Sequence, residues 1–104
     1  MARIAFKMKL KPGYAQEYEA RHKMLWPALK TMLEQKGVYD YSIFLDEETN
    51  TLFAVQKSRE TDGSQDLAQN EIVQQWWKYM SDIMETNPDN SPASTPLKEV
   101  FRLE

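Results

Sequence analysis

Hydrophobic residues recur along this chain with two different periods, and the order in which the two patterns follow each other is the strongest constraint on its fold. Residues 3–10 place apolar side chains at every second position, which is typical of a half-buried strand. Residues 40–46 and 51–57 alternate in the same way, and the polar turn 47–50 between them predicts a hairpin. The stretch 97–103 is predicted to form a final strand.

Two longer segments have the period of a helix instead. The first covers residues 14–33 and is expected to end at Gly37, because glycine commonly follows the last turn of a helix. Pro27 interrupts this segment and predicts a kink or a break just before it, since proline lacks the backbone N–H that a helix needs. The second segment, from 65 to about 84, has apolar residues three and four positions apart.

The predicted order of elements is β-α-β-β-α-β. With both helices on one side of an antiparallel four-stranded sheet, this order describes a ferredoxin-like α+β fold. The hairpin carries large apolar residues on both faces, because Ile43 and Phe44 point in opposite directions, as do Leu52 and Phe53. A sheet that is covered by helices on one face only should be polar on the other. A second copy of the same sheet is therefore expected to cover the other face, which predicts a homodimer, a dimeric α/β barrel.

The composition is that of an ordinary globular protein. At 104 residues, the chain 1–104 is expected to form a single domain, and its net charge of −3 gives no indication of binding to nucleic acid or to an anionic membrane. The absence of cysteine excludes disulfides and thiol chemistry and favours a cytoplasmic location. Residues 1–7 alternate in charge and apolarity, which predicts neither a signal peptide nor a membrane span.

The first helical segment contains the only histidine, His22. Tyr18 and Trp26 lie one turn before and one turn after it, so the three rings share one face of the helix. A single histidine on an apolar helix face is more often a hydrogen-bonded core residue than a catalyst. A second aromatic cluster around Trp76 and Trp77 favours a functional site, because each buried indole N–H or phenol O–H needs a partner.

Several kinds of site have no sequence signal in this chain. One histidine cannot supply the usual nitrogen ligands of a metal, and three glycines form no phosphate-binding loop, so neither a metal nor a cofactor is expected. No Ser-His-Asp or Cys-His signature is present. An imidazole among aromatic rings suits a small sugar, whose C–H faces stack on indoles and phenols. The polar stretch 87–92 is expected to be either a stiff turn or a wall of this site.

The residues that carry a family resemblance extend over nearly the whole chain. The sequence closely resembles the L-rhamnose mutarotases in these motifs: Glu17-Tyr18, Arg21-His22, Trp26-Pro27, Asp40-Tyr41, Leu45-Asp46, residues 50–53, residues 76–80, residues 87–92 and Val100-Phe101. This resemblance implies a homodimeric, cytoplasmic isomerase that interconverts the α and β anomers of L-rhamnopyranose. It also implies that His22 is the proton donor and that the sugar is contacted by Tyr18, Tyr41, Trp76 and Trp77.

Anomer exchange opens the pyranose ring at C1 and closes it again on the other face. We expect protonated His22 to give a proton to the ring oxygen while a base takes the proton of the anomeric hydroxyl, an acid–base contribution of about 10²–10⁴-fold. The base is left open among Asp89, a tyrosine and a bound water. Two other functions remain as alternatives: a haem-degrading or quinone-forming monooxygenase of the dimeric-barrel type, and a sugar-binding module without chemistry.

Overall fold

The computed structural model describes residues 2–59 and 69–103 of the chain. Its elements are, in order, β1 (Ala2–Lys9), α1 (Ala15–Lys23), α2 (Pro27–Gln35), β2 (Val38–Asp46), β3 (Thr51–Ser58), α3 (Glu71–Met80) and β4 (Ser94–Pro96). The strands form one antiparallel sheet in the order β2-β3-β1-β4. This strand order is that of a ferredoxin-like sheet, so the predicted α+β class is confirmed.

Pro27 divides the first helical segment into two helices, as its sequence predicts. The helix α1 ends at Lys23, and α2 begins at Pro27, whose missing N–H costs nothing at the first helical position. Trp26 is extended, with φ −59° and ψ 127°, because the proline ring disfavours a helical conformation in the preceding residue. The predicted stop at Gly37 is also confirmed, since this residue follows α2 with a φ of +88°.

The core lies between the helices and one face of the sheet. The strand register places Met8 beside Leu52, and Leu52 beside Leu45, on this face. Burying side chains of this size contributes about 1.5–3 kcal/mol each. The buried apolar cluster consists of Met8, Leu10, Tyr18, Leu29, Met32, Leu52, Ala54, Val73, Trp76, Met80, Ile83 and Met84.

A β-bulge in β2 decides which of its residues face the helices. The register shifts between Tyr39 and Ser42, so Asp40 and Tyr41 together lie opposite the single residue Gln56. Asp40 takes up the extra length in a left-handed conformation with a φ of 49°. Tyr41 alternates with Ile43 and Leu45, so it faces the helices. Because of the extra residue, Val38 lies on the same face and is buried, although it is three residues from Tyr41.

The face of the sheet opposite the helices carries exposed aromatic residues. Phe44 and Phe53 are paired across β2 and β3, and they are 64% and 37% exposed. Val55 lies on the same face, two residues beyond Phe53 along β3. The apolar second face expected from the sequence is therefore present in the fold. The homodimer expected to cover it stays a prediction.

The expected final strand at 97–103 is wrong. The strand β4 is short and precedes that stretch, and residues 97–103 have no regular secondary structure. Such a strand would bury the alternate residues Leu97, Phe101 and Leu103 on one face. These side chains are 37%, 78% and 86% exposed instead.

The second helix is shorter than its periodic pattern. It covers α3 only, and the expected residues 65–68 lie outside the described residues. Asn70 begins the helix by accepting hydrogen bonds from the backbone N–H groups of Ile72 and Val73, at 2.8 and 3.4 Å. After Met80 the chain forms turns rather than another helical turn. In the part of the chain that the structure describes, no helix has the length and apolarity needed to cross a membrane.

Candidate active site

A single open cavity brings together the residues that the sequence analysis assigns to a site. It has a volume of about 1500 Å³ and lies between the helices and the sheet. Its walls come from all three helices, from all four strands and from the loop that precedes β4. All of the predicted site residues line it, namely Tyr18, His22, Tyr41, Trp76 and Trp77.

His22 occupies the last turn of α1, is half-buried, and has one ring nitrogen fixed by the backbone. Its Nδ1 lies 3.0 Å from the carbonyl oxygen of Tyr18. A carbonyl oxygen only accepts hydrogen bonds, so Nδ1 carries the hydrogen in the neutral ring. The ring stacks on that of Tyr18, with 4.3 Å between centroids, and meets the edge of Trp76 at 5.4 Å. The other nitrogen, Nε2, is the one available for proton exchange.

Burial lowers the pKa of His22 below its ordinary value of 6.5, and the hydrogen bond to the Tyr18 carbonyl opposes this shift only in part. Desolvation has this direction because it disfavours the charged imidazolium. The imidazole is therefore mostly neutral at neutral pH. In that form Nε2 accepts a proton rather than donating one.

Two of the tyrosines that line the cavity, Tyr18 and Tyr41, are held in their protonated form. Burial, together with the neighbouring Tyr41, raises the pKa of Tyr18 far above its ordinary value. Tyr41 keeps some contact with solvent at the cavity, but the protein atoms around it raise its pKa to about 12 by desolvation. Both phenols are therefore hydrogen-bond donors near neutral pH. Neither is suited to take a proton from a sugar hydroxyl.

The neighbouring tryptophans of α3 have different surroundings. Trp76 is buried and packs edge-on against Trp26, with 5.1 Å between ring centroids, and also lies 5.6 Å from the ring of Tyr79. Trp77 is only partly buried and lines the cavity as well. Adjacent helical residues point about 100° apart, so the pair offers the cavity two differently oriented indoles.

Arg21 is a residue that the sequence analysis named only as part of a motif. Its guanidinium donates hydrogen bonds to Glu17 at 2.7 Å, to Asp82 at 2.9 and 3.2 Å, and to the Tyr79 carbonyl at 2.8 Å. It also lies over the Tyr79 ring, 4.5 Å from its centroid. These contacts join the α1 turn that carries His22 to the end of α3. The i,i+4 spacing from Glu17 was the only sign of them in the sequence.

The loop at 87–92 is both a stiff turn and a wall of the cavity. Its ends are joined by a hydrogen bond from the Asn87 N–H to the Ser91 carbonyl at 2.8 Å, and Asn87 Nδ2 donates to Ser91 Oγ at 3.0 Å. Asn87, Ser91 and Pro92 line the cavity. Asp89 is not among the lining residues, and hydrogen bonds from Ser91 lower the pKa of its carboxyl.

The charged residues within residues 2–59 and 69–103 form no group of three or more histidine, aspartate or glutamate side chains that could hold a metal ion. The chemistry that these residues offer is proton exchange at one imidazole, next to phenol donors and aromatic faces. Fold and cavity together define a class of small ferredoxin-like proteins with an aromatic pocket that suits a monosaccharide. Residues 3–103 match the family model described as L-rhamnose mutarotase. The chain belongs to this family of isomerases.

Individual relatives match over the full length of the chain. The L-rhamnose mutarotase of Bacteroides thetaiotaomicron is 62% identical over 104 residues, which is 100% of both chains. That of Sinorhizobium fredii is 52% identical over 103 residues, 99% of each chain. The crystal structure of an L-rhamnose mutarotase from Formosa agariphila is 59% identical, covers 100% of both chains and has a TM-score of 0.93.

Proposed function

We propose that this protein interconverts the α and β anomers of L-rhamnopyranose. The match to the mutarotase family over nearly the whole chain carries the proposal. The cavity supports it, because the rings of Trp76 and Trp77 offer apolar faces to the C–H groups of a pyranose. The phenols of Tyr18 and Tyr41 can donate hydrogen bonds to the sugar oxygens.

In the reaction that we propose, His22 acts through Nε2. Neutral Nε2 takes the proton of the anomeric hydroxyl, the C1–ring oxygen bond breaks, and a carbonyl forms at C1. The imidazolium then returns that proton to the ring oxygen, which it can reach because both oxygens are bonded to C1. Rotation about C1–C2 exposes the other face of the aldehyde, and the same steps in reverse close the ring.

This proton transfer makes His22 both the acid that the sequence predicts and the base that the sequence leaves open. The imidazolium forms during the reaction, so the lowered pKa of the free residue is no obstacle. Tyr18 and Tyr41 are poor bases because their raised pKa values keep them protonated. Asp89 is unsuited for a different reason, since it does not line the cavity.

We also propose that the protein acts as a homodimer, with the exposed sheet faces of two copies packed together. The support is the apolar surface of Phe44 and Phe53, which a sheet facing water would not be expected to carry. A cytoplasmic location belongs to the same proposal. The absence of cysteine fits a reducing compartment.

The deciding experiment is saturation-transfer NMR on L-rhamnose, which measures anomer exchange at equilibrium. We expect the wild-type protein to speed the exchange and His22→Asn to lower that rate by about 10²–10⁴-fold, the usual contribution of acid–base catalysis. Asparagine keeps a hydrogen-bond donor near the position of Nδ1, so circular dichroism should show an unchanged fold. Lys36→Gln, at an exposed position outside the cavity, is the control and should keep the wild-type rate.

The two alternative functions give different results in the same sample. A sugar-binding module would change its tryptophan fluorescence with L-rhamnose and leave the exchange rate at its spontaneous value. A haem-dependent monooxygenase would show a haem Soret band on purification. Full exchange activity in His22→Asn would leave the family assignment in place and remove His22 from the mechanism.

A further inference from the structure

The last residues that the structure describes carry exposed apolar side chains. Residues 97–103, here called the arm, have no regular structure and follow β4 directly. Val100, Phe101 and Leu103 are 86%, 78% and 86% exposed. Three adjoining apolar side chains with so much surface in water are unfavourable for an isolated monomer. Such a segment is typical of one that is covered by another chain.

The arm begins at the rim of the cavity. Ser94 and Pro96 of β4 line the cavity, and the next residue, Leu97, donates its backbone N–H to the Ala5 carbonyl at 2.9 Å. By strand alternation Leu97 and Ala5 lie on the face that carries Phe44 and Phe53. The arm therefore starts where the cavity meets the proposed dimer face. Packing two such faces together brings the base of each arm beside the second copy.

The cavity is wider than a monosaccharide requires. Ligand pockets commonly have volumes of about 300–1,000 Å³, whereas this cavity has about 1500 Å³ and is open to solvent. An open site lets water reach the ring-opened aldehyde and weakens the hydrogen bonds that orient the sugar. One further wall would narrow the site, and an apolar segment suits that purpose.

We propose that the arm of each subunit crosses to the second copy of the chain and forms a wall of that copy's cavity. The inference rests on the homodimer of the proposed function. Seven extended residues span at most about 23 Å, at about 3.3 Å per residue, which is enough to cross a two-fold interface. In the structure, Val100, Phe101 and Leu103 are not covered by their own chain. The arm is therefore expected to reach the cavity of the symmetry-related copy rather than its own.

Subunit complementation tests this proposal directly. One variant, His22→Asn, has a complete arm and an inactive cavity. The other, shortened after Pro96, has an intact cavity and no arm. Each alone should have at least tenfold lower activity than the wild type. When the two chains are co-expressed in equal amounts, random two-fold pairing should restore about one quarter of wild-type activity, because each mixed dimer holds one complete cavity.

The result that would overturn the proposal is equally definite. An arm that closes its own cavity gives no gain on mixing, and an arm with no role leaves the shortened chain fully active. If the shortened chain fails to fold, Phe101→Asp in the full-length chain takes its place, with Lys98→Ala as the matched control on the same arm. Mixing should then restore activity to Phe101→Asp in the same way.

A second readout does not depend on the mutarotase activity. Because the chain has no cysteine, Val100→Cys can be labelled at one position with an environment-sensitive dye. Its emission should shift to the blue as dimers form with rising concentration, whereas a dye at Lys36→Cys should not change. An unchanged emission at Val100→Cys would overturn the proposal that the arm crosses to the second copy. Inactivity of the wild-type protein overturns the proposed function alone.

Discussion

At the scale of single residues, the tautomer of His22 determines the order of proton transfers in the reaction that we propose. Its Nδ1–H is directed to the Tyr18 carbonyl at 3.0 Å, so the cavity is offered an unprotonated Nε2. Burial favours this neutral form by lowering the pKa. A residue prepared in this way accepts a proton first and donates one second. The pH dependence of the reaction therefore distinguishes this order from one that starts with the imidazolium.

The first prediction concerns that pH dependence. We expect kcat/KM for L-rhamnose to rise with pH through the pKa of free His22, which lies below 6.5, and to be level around neutral pH. The sign follows from the active form, since the neutral imidazole increases as pH rises through that pKa. NMR exchange rates at several pH values, corrected for spontaneous exchange, measure it. A rate that falls as pH rises through this range would mean that His22 must be protonated before the sugar binds.

Sequence spacing could predict which residues neighbour His22 on its helix, but it could not predict the tautomer of the imidazole. Residues four apart on a helix meet on one face, and the rings of Tyr18 and His22 do stack. The bond to the Tyr18 carbonyl depends on the side-chain rotamer, which spacing does not determine. The contact with Trp76 joins distant parts of the chain, so it depends on how α1 and α3 pack.

At the scale of elements, Arg21 connects α1 to the end of α3. Its side chain is only 11% exposed, and it contacts Asp82 through two nitrogens and Tyr79 through a backbone carbonyl. A planar guanidinium supplies this fork-like set of bonds, and a lysine cannot. Since His22 is the next residue along the helix, Arg21 is a positioning residue for the imidazole.

The second prediction follows from this connection. Arg21→Lys should lower kcat/KM by roughly 10–100-fold, because small displacements of a catalytic group have effects of that order. It should also move the rising limb of the pH profile toward 6.5 as the His22 turn becomes more hydrated. Lys36→Gln is the control, since Lys36 is exposed and does not line the cavity. Loss of stability without a change in the pH profile would reduce Arg21 to a structural role.

The third prediction concerns the end of α2. Gly37 has a φ of +88°, and a Cβ there would lie 3.2 Å from the Cβ of Arg59. Gly37→Ala should therefore lower the free energy of unfolding by about 1–2 kcal/mol, the usual cost of a left-handed L-residue. Urea denaturation measures the change. Gly13→Ala has a similar φ of +88° and no atom near its Cβ, so it separates backbone strain from the contact with Arg59.

Elements with a strong local signal could be predicted from the sequence, whereas those that depend on distant pairing could not. The break at Pro27 follows from the chemistry of one residue. The bulge at Asp40 and Tyr41 leaves the alternating pattern intact on either side, so nothing in the sequence marks the extra residue. The apolar content of residues 97–103 predicts a strand, but a strand also needs a covered face, which the local sequence does not specify.

At the scale of the whole molecule, the sheet has two apolar faces and the described chain covers one. A domain of this size buries a modest fraction of its surface, so an exposed aromatic pair is a considerable loss of hydrophobic stabilisation. Phe44 and Phe53 lie next to each other on the open face, across the edge strand β2 and its neighbour β3. Interfaces between identical chains commonly place such rings at their centre.

The last prediction is that Phe44→Lys converts the protein from a dimer to a monomer of 12.2 kDa. The lysine would place an unpaired charge within the packed faces of both subunits, which opposes association. Sedimentation velocity measures the mass. Met24→Lys is the matched control, because Met24 is an 81% exposed apolar residue outside the sheet. If the wild-type protein already sediments as a monomer, or Phe44→Lys stays a dimer, the sheets do not form the interface.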